Sequence, residues 1–417
     1  MTGAPSGHDP AAALVAAFPE PPARLAVAVS GGSDSTALLV HLADWAAVRG
    51  TALHAVTVDH GLRPEAAAEA AEVARLCDRI GLPHDTLSWQ WDGQGNLSDA
   101  ARRGRYAAIA GWARPLGIAD VAIGHTADDQ AETFLMRLAR GSGVDGLAAI
   151  RHSRSALGIR WHRPFLGLRR ADLRADLAAR GLGWMEDPTN QDETYLRIRA
   201  RQAMAALAPL GIDVACLVDT ALRMQRAAAA LGQAAADAAR RIAQVDAGDV
   251  VFDMAGLAQL PAETRDRLVA GALVWVASAE YRPRYAALQA ALSAVTDGRA
   301  ATLHGCLLLP GGNRLRIARE WKAVAEYEVP IAQTWDGRWR AKRQDEAGLT
   351  VCALGEAGLA ACPDWRATGR PRAALLAAPA LWRKGVLVAC PAAGLGDKTA
   401  FAPEPGLDDY LVTLTSH

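Results

Sequence analysis

Three apolar runs in the amino-terminal half of the chain each end in a cluster of small or charged residues. Leu25-Ala26-Val27-Ala28-Val29 runs into Ser30-Gly31-Gly32-Ser33-Asp34-Ser35-Thr36, Leu53 through Val58 into Asp59-His60-Gly61-Leu62-Arg63, and Val121 through Gly124 into His125-Thr126-Ala127-Asp128-Asp129. Short continuous apolar runs of this kind read as strands, and the longer amphipathic stretches between them read as crossover helices. Their alternation from Leu25 to about Leu182 predicts an α/β fold with a doubly wound, mostly parallel sheet. In open α/β sheets ligands bind outside the carboxyl ends of the strands, which is where all three polar clusters fall. Around Pro209-Leu210-Gly211 the pattern changes to long alanine-rich segments, such as Ala221 to Ala243 and Arg265 to Ala279, which predict a mainly helical middle region. Past Pro310-Gly311-Gly312 short strands and turns predict a small α+β domain. The expected division is therefore 1–210, 211–325 and 326–417.

The first cluster has the chemistry of an anion-binding loop. Gly31 and Gly32 allow close backbone approach, Ser30, Ser33 and Ser35 add hydroxyl donors, and a helix beginning near Thr36 would aim its unpaired N–H groups at a phosphate. A Walker A loop is excluded, because the chain has no lysine before Lys322. A dinucleotide fingerprint is excluded as well, because the two glycines are adjacent and lead into Ser-Asp-Ser. Asp34, beside a bound triphosphate, makes sense as a Mg2+ ligand. Taken alone, the same residues also describe an ordinary strand-to-helix turn.

The third cluster sets His125, Asp128, Asp129 and Glu132 at i, i+3, i+4 and i+7, one face of a helix. Such a face repels itself unless a cation joins it. Its plain alternative is a solvated helix surface, with Glu132 and Arg137 as surface charges. The glycine-rich stretch Arg140-Gly141-Ser142-Gly143 to Gly146-Leu147 adds a basic loop after that helix.

Composition narrows the class without naming it. The 417 residues carry no formal net charge, so contact with RNA must come from local patches. One such stretch is residues 151–201, with eleven arginines against six acidic residues. The six cysteines are scattered without a C-x-x-C pair, which fits isolated buried thiols better than zinc or a redox dithiol. The apolar run from Ala11 to Phe18 is short and lacks a basic flank, and no later stretch approaches the length of a membrane span. A cytoplasmic enzyme without a membrane partner is the expectation.

With these residues in view, the chain resembles the tRNA(Ile)-lysidine synthetases of the N-type ATP pyrophosphatase, or PP-loop, superfamily. The resemblance rests on Ser30 to Ser35, Val58 to Arg63, Ala101-Arg102 through Arg105-Tyr106, Gly124 to Thr133, Arg140 to Gly143 with Gly146-Leu147, Arg163-Pro164-Phe165-Leu166, and Trp184 through Asp187-Pro188-Thr189-Asn190. Looser likeness continues in Tyr281-Arg282-Pro283-Arg284 and Thr302 to Cys306. Two positions depart from the family's pattern: Thr126 stands where a second histidine is common, and Ile198 where an asparagine is common.

The resemblance implies ligation of free L-lysine to carbon 2 of the wobble cytidine in the CAU anticodon of tRNA(Ile), through an adenylated cytidine, with release of pyrophosphate and AMP. ATP and Mg2+ are the implied cofactors, and a homodimer is compatible with it. Ser30, Gly31, Gly32, Ser33, Asp34, Ser35, Arg102 and Arg105 are the implied nucleotide contacts, with Asp34 on the metal. Asp34, Asp59, His125, Asp129, Glu132 and Arg140 are the implied catalytic set: Asp129 and Glu132 hold the lysine amine, Asp59 supports metal or nucleotide, His125 faces the α-phosphate, and Arg140 neutralises departing pyrophosphate. Two alternatives stay open, a PP-loop tRNA thiolase of the 2-thiocytidine type and a non-catalytic adenine-nucleotide-binding protein.

Overall fold

A computed structural model describes residues 9–61, 66–91, 93, 96–186, 196–342, 348–397, 400–401 and 406–415. Leu62-Arg63, Asp187 to Asn190 and Tyr195 lie outside the described residues. The chain divides into two compact units, 1–227 and 228–417.

In the first unit, strands β1 (Arg24–Ala28), β2 (Ala52–Asp59), β3 (His84–Ser88), β4 (Asp120–Ile123), β5 (Ser153–Ala156) and β6 (Ile159–His162) form one six-stranded sheet in the order β3-β2-β1-β4-β6-β5. All neighbours pair parallel except the edge hairpin β5–β6. The central strands are buried on both faces, as crossover helices on each side require: Leu25, Ala26, Val27, Ala55, Val56, Val121 and Ala122 are all sealed from solvent. The helices are α1 (Pro10–Ala17), α2 (Ser33–Arg49), α3 (Ala66–Arg79), α4 (Leu97–Ala113), α5 (Ala127–Leu138), α6 (Val144–Leu147), α7 (Arg170–Ala179) and α8 (Leu196–Leu207), and the long α9 (Val214–Ile242) begins in this unit and ends in the second. From β1 the chain winds outward through β2 and β3, then returns to place β4 on the other side of β1. The strand order reverses there, so the crevice for a ligand opens between the carboxyl ends of β1 and β4.

The doubly wound nucleotide fold read from the sequence is thus the fold observed, with two refinements. Helix α2 starts at Ser33, with Gly32 as its N-cap, so Ser33, Asp34 and Ser35 form its first turn instead of preceding it. The hairpin β5–β6 is an added element, closed by Leu157 and Gly158, both at positive φ (56° and 74°). That is the two-residue turn whose twist suits a hairpin.

The second unit carries more strand than expected of a mainly helical region. Strands β7 (Ala243–Asp246), β8 (Asp249–Asp253), β9 (Ala301–Leu303), β10 (Cys306–Gly311) and β11 (Arg314–Arg319) make an antiparallel sheet in the order β7-β8-β11-β10-β9. Helices α10 (Met254–Ala258), α11 (Ala262–Ala277) and α12 (Tyr285–Thr296) accompany it. Leu268, Leu273 and Val276 of α11 share one core with Val250, Phe252, Leu308, Leu315 and Ile317 of the sheet. Further along lie β12 (Val329–Pro330), β13 (Leu349–Ala353), α13 (Gly355–Ala360), α14 (Arg372–Leu376), β14 (Pro379–Arg383), β15 (Val386–Ala389) and α15 (Leu407–Thr415), and their four strands form the small sheet expected of this region. All six cysteines are free. Four are buried as expected, whereas Cys216 is exposed and Cys352 only half-buried. No single helix among the described residues is long and apolar enough to cross a membrane.

Candidate active site

The loop after β1 is built by its own hydroxyls. Ser35 Oγ accepts the Ser30 N–H at 3.1 Å, lies 3.1 Å from Ser30 Oγ and donates to the Gly32 carbonyl at 3.1 Å. Thr36 Oγ1 donates to the Gly31 carbonyl at 3.2 Å. No side chain caps the amino end of α2, which leaves its N–H groups and positive dipole end available to an anion.

Two glycines are sterically required here. Gly31 sits at φ +82°, and a Cβ on it would fall 1.6 Å from Met185 Cε, because the Met185 N–H is bonded to the Gly31 carbonyl at 2.9 Å. Gly124, at the end of β4, would place a Cβ 2.8 Å from both Cα and N of Ser35. That contact is with backbone, which cannot swing aside. Gly124→Ala is expected to displace the loop and to slow ATP–pyrophosphate exchange about a hundred-fold, the scale of a misplacement near 1 Å. An exchange rate within twofold of wild type would show that the loop tolerates the shift.

The chain passes from β4 through His125 and Thr126 into α5. Thr126 is sealed from solvent, and its N–H and hydroxyl both donate to Asp129 Oδ2, at 2.9 and 3.0 Å. A threonine at this position therefore acts on the start of α5, tying down the carboxylate in the first turn as a capping box does. His125 precedes the helix, so the four-residue acidic face does not form as one stripe. Asp128 turns to the amino end of α7, accepting from the Arg170 backbone N–H at 2.8 Å, while Asp129 and Glu132 turn inward.

The cation that such carboxylates need is supplied by arginine. Arg170 Nε donates to Asp34 Oδ2 at 2.8 Å, Nη2 to Asp129 Oδ1 at 3.3 Å, and Nη1 lies 3.5 Å from Glu132 Oε1. Glu132 is 0 % exposed and also meets Arg201 Nε at 2.5 Å and Arg197 Nε at 3.0 Å. It is no surface charge. Nor is Arg137, which donates to the carbonyls of Gly146 and Ala149 at 2.9 and 3.0 Å and pins the glycine-rich stretch. Gln130 closes that stretch from inside, bonded twice to the Ile150 backbone at 3.0 and 2.7 Å.

Burial sets the electrostatics. It pushes the carboxyls of Asp34 and Glu132 above their ordinary values, with Arg170 opposing at Asp34 and Arg201 and Arg197 opposing at Glu132. At Asp129 burial also pushes up, but Arg170, Arg197 and the Thr126 N–H outweigh it, and the group stays a carboxylate. Burial would pull Arg170 down, yet Asp34, Asp129 and Glu132 together hold it firmly charged. His125 is lowered to about 3 by burial, with Arg163, Arg105 and Arg197 reinforcing it against Asp129. Its ring is neutral at physiological pH, and its buried Nδ1 has no hydrogen-bond partner among the described residues.

The remaining sequence-derived residues fall around this centre. Arg102 and Arg105 of α4 lie over the Tyr106 ring at 5.6 and 5.9 Å, and the Tyr106 hydroxyl accepts from Arg163 at 3.3 Å. Asp59, at the end of β2, accepts the Gly61 N–H at 2.8 Å and shapes that turn. Arg140 is exposed in the turn beyond the far end of α5, whose last residue is about 13 Å of helix rise from Asp129, so the structure does not bring it to the carboxylates. Arg170 is the residue that sequence reasoning missed. Its partners lie 136, 41 and 38 positions away, and nothing local distinguishes it from the other arginines of the 151–201 stretch.

A serine-lined anion loop at the switch point of a doubly wound sheet, with a carboxylate in the first turn of the helix it opens, defines a PP-loop nucleotide-binding protein. The family model of the PP-loop domain matches residues 10–207. The chain is 48% identical over 400 residues to the tRNA(Ile)-lysidine synthase of Ruegeria pomeroyi, with 95% of each chain covered. It is 42% identical over 306 residues to that of Methylobacterium sp. strain 4-46, covering 70% of this chain and 88% of the relative. The chain belongs to the tRNA(Ile)-lysidine synthase family. Among solved structures, the U34-tRNA thiolase NcsA from Methanococcus maripaludis with its 4Fe-4S cluster aligns at a TM-score of 0.45 and 14% identity, over 52% of this chain and 76% of that one.

Proposed function

We propose that this ATP-using ligase joins free L-lysine to carbon 2 of the wobble cytidine in the CAU anticodon of tRNA(Ile), changing the codon read from AUG to AUA. The observation that carries the reading is the direct junction of two unlike sets of groups. An uncapped helix end lined with serines, suited to phosphate, shares Arg170 with two buried carboxylates suited to an amine.

In the first step the cytidine O2 attacks the α-phosphorus of ATP and pyrophosphate leaves. The Ser30 to Ser35 loop holds the β- and γ-phosphates, Arg102 and Arg105 add positive charge nearby, and neutral His125 offers a hydrogen bond at the α-phosphate without adding a charge. Magnesium favours one or two carboxylates together with substrate phosphates, a donor set that Asp34 and this loop match. Asp34 would hold the Mg2+, which when bound neutralises charge building on the phosphates. In the second step the side-chain amine of lysine attacks carbon 2, AMP leaves, and a proton passes from the amine. With an ordinary pKa near ~10.4, that amine arrives protonated and needs a carboxylate to attract it and take its proton. Asp129 and Glu132 are assigned that role, with Asp59 supporting the nucleotide side. The regions 211–325 and 326–417 are assigned to the tRNA body, and the cytoplasm as the setting.

The thiolase alternative loses ground on cysteine chemistry. The six cysteines are all free and no two form the C-x-x-C pair on which such sulfur transfer usually leans. Incubation with ATP, an unmodified tRNA(Ile) transcript and radiolabelled lysine tests the assignment. Lysine is expected to enter the RNA with one AMP and one pyrophosphate released per turnover. Release of ADP and orthophosphate, or incorporation of sulfur in place of lysine, would overturn it.

A further inference from the structure

Three acidic side chains of the site converge on one guanidinium. Each nitrogen of the Arg170 fork faces a different acid, Nε to Asp34, Nη2 to Asp129 and Nη1 to Glu132, while its backbone N–H is fixed by Asp128. A lysine, as a point charge on a flexible stem, cannot serve three acids in this way. Arg197 and Arg201 both meet Glu132. Among the described residues, Arg170 alone is seen to join an acid of α2 to acids of α5.

We propose that Arg170 is a positioning residue that couples nucleotide binding to lysine binding, because each ligand must take a carboxylate from this same guanidinium. The inference rests on the reading above, in which Asp34 belongs to the nucleotide side and Asp129 with Glu132 to the amine side. ATP and its cation compete with Arg170 for Asp34, and the lysine ammonium competes with it for Asp129 and Glu132. Whichever ligand arrives first breaks the three-way grip. The second then meets acids already released, so the two bind cooperatively, and the coupling is reciprocal. The Arg170 side chain is one-fifth exposed, which leaves a route toward solvent when it lets go.

Calorimetric titration of the full chain with lysine, with and without α,β-methylene-ATP and Mg2+, reads this coupling directly. In wild type the analogue is expected to tighten lysine binding at least about five-fold, the lower end of ordinary allosteric coupling. In Arg170→Ala the ratio is expected to fall below about twofold while both ligands still bind. Arg170→Lys keeps the charge and covers the case in which alanine disturbs folding, and its ratio is expected to fall as well. A five-fold ratio retained in both variants, or a wild-type lysine affinity indifferent to the analogue, would overturn the inference and leave the proposed function standing. Failure of wild type to bind lysine under any condition would remove both.

Discussion

Asp34→Ala is expected to reduce ATP–pyrophosphate exchange by at least about a thousand-fold, roughly 4 kcal/mol of transition-state stabilisation, with the fold intact. The carboxylate sits in the first turn of α2, beside the loop assigned to the phosphates, with one oxygen on Arg170 and the other on Ser33 Oγ at 3.1 Å. The packing of α2 comes from Leu38, Leu39, Leu42 and Trp45, none of which the substitution touches. Stability should change little, because Arg170 keeps Asp129 and Glu132 as partners when Asp34 is removed. Far-ultraviolet circular dichroism and a melting curve, measured beside the exchange rate, separate lost chemistry from lost structure. Normal exchange would remove Asp34 from the mechanism.

The second large effect is expected at Glu132, and it falls on lysine more than on ATP. Glu132→Gln keeps the shape and one acceptor oxygen but removes, at a side chain sealed from solvent, the charge that faces Arg170, Arg197 and Arg201. A hydrogen bond to a charged partner contributes about 1.5–3 kcal/mol, so the lysine KM should rise about ten- to a hundred-fold, with the ATP KM within about twofold. The fold should also weaken, by about 2 kcal/mol. That is less than a buried pair usually costs when broken, because Arg197 and Arg201 retain partial access to water. For a unit of this size such a loss lowers Tm by about 4–8 °C. An unchanged lysine KM beside a lowered Tm would make Glu132 a structural anchor only and reassign the amine to Asp129.

What the sequence made legible was the catalytic edge. The three apolar runs, each closed by polar residues, became β1, β2 and β4 in a parallel sheet, because strands buried on both faces must be continuous in apolar residues. The residues of the anion loop were readable for a related reason: glycines and serines after a strand have a local meaning. Arg170 was hidden because its importance lies in pairings across long stretches of chain, and the arginine-rich segment around it reads as a basic surface. Gln130 was hidden likewise, since a buried amide that closes on the Ile150 backbone looks like any polar helix residue. The β5–β6 hairpin escaped notice because its turn is Leu157-Gly158, where Asn-Gly would have announced it. The five-stranded sheet of the second unit was obscured in the same way. Its first hairpin turns on Ala247-Gly248, both at positive φ, between strands of only four and five residues.

Helix α9 has a consequence for how such a chain can be rearranged in evolution. Its opening turns place Val214, Leu217 and Ala221 in the cluster that backs Phe134 and Ala131 of α5, while its closing turns place Ala235, Ala236, Ala238 and Ala239 in the core beneath the five-stranded sheet. One rod is therefore common property of two hydrophobic interiors. Recombination that swapped the carboxyl-terminal half for another RNA-binding module could not simply join at a loop. It would have to rejoin within a helix, because the residues on either side of the join belong to different interiors.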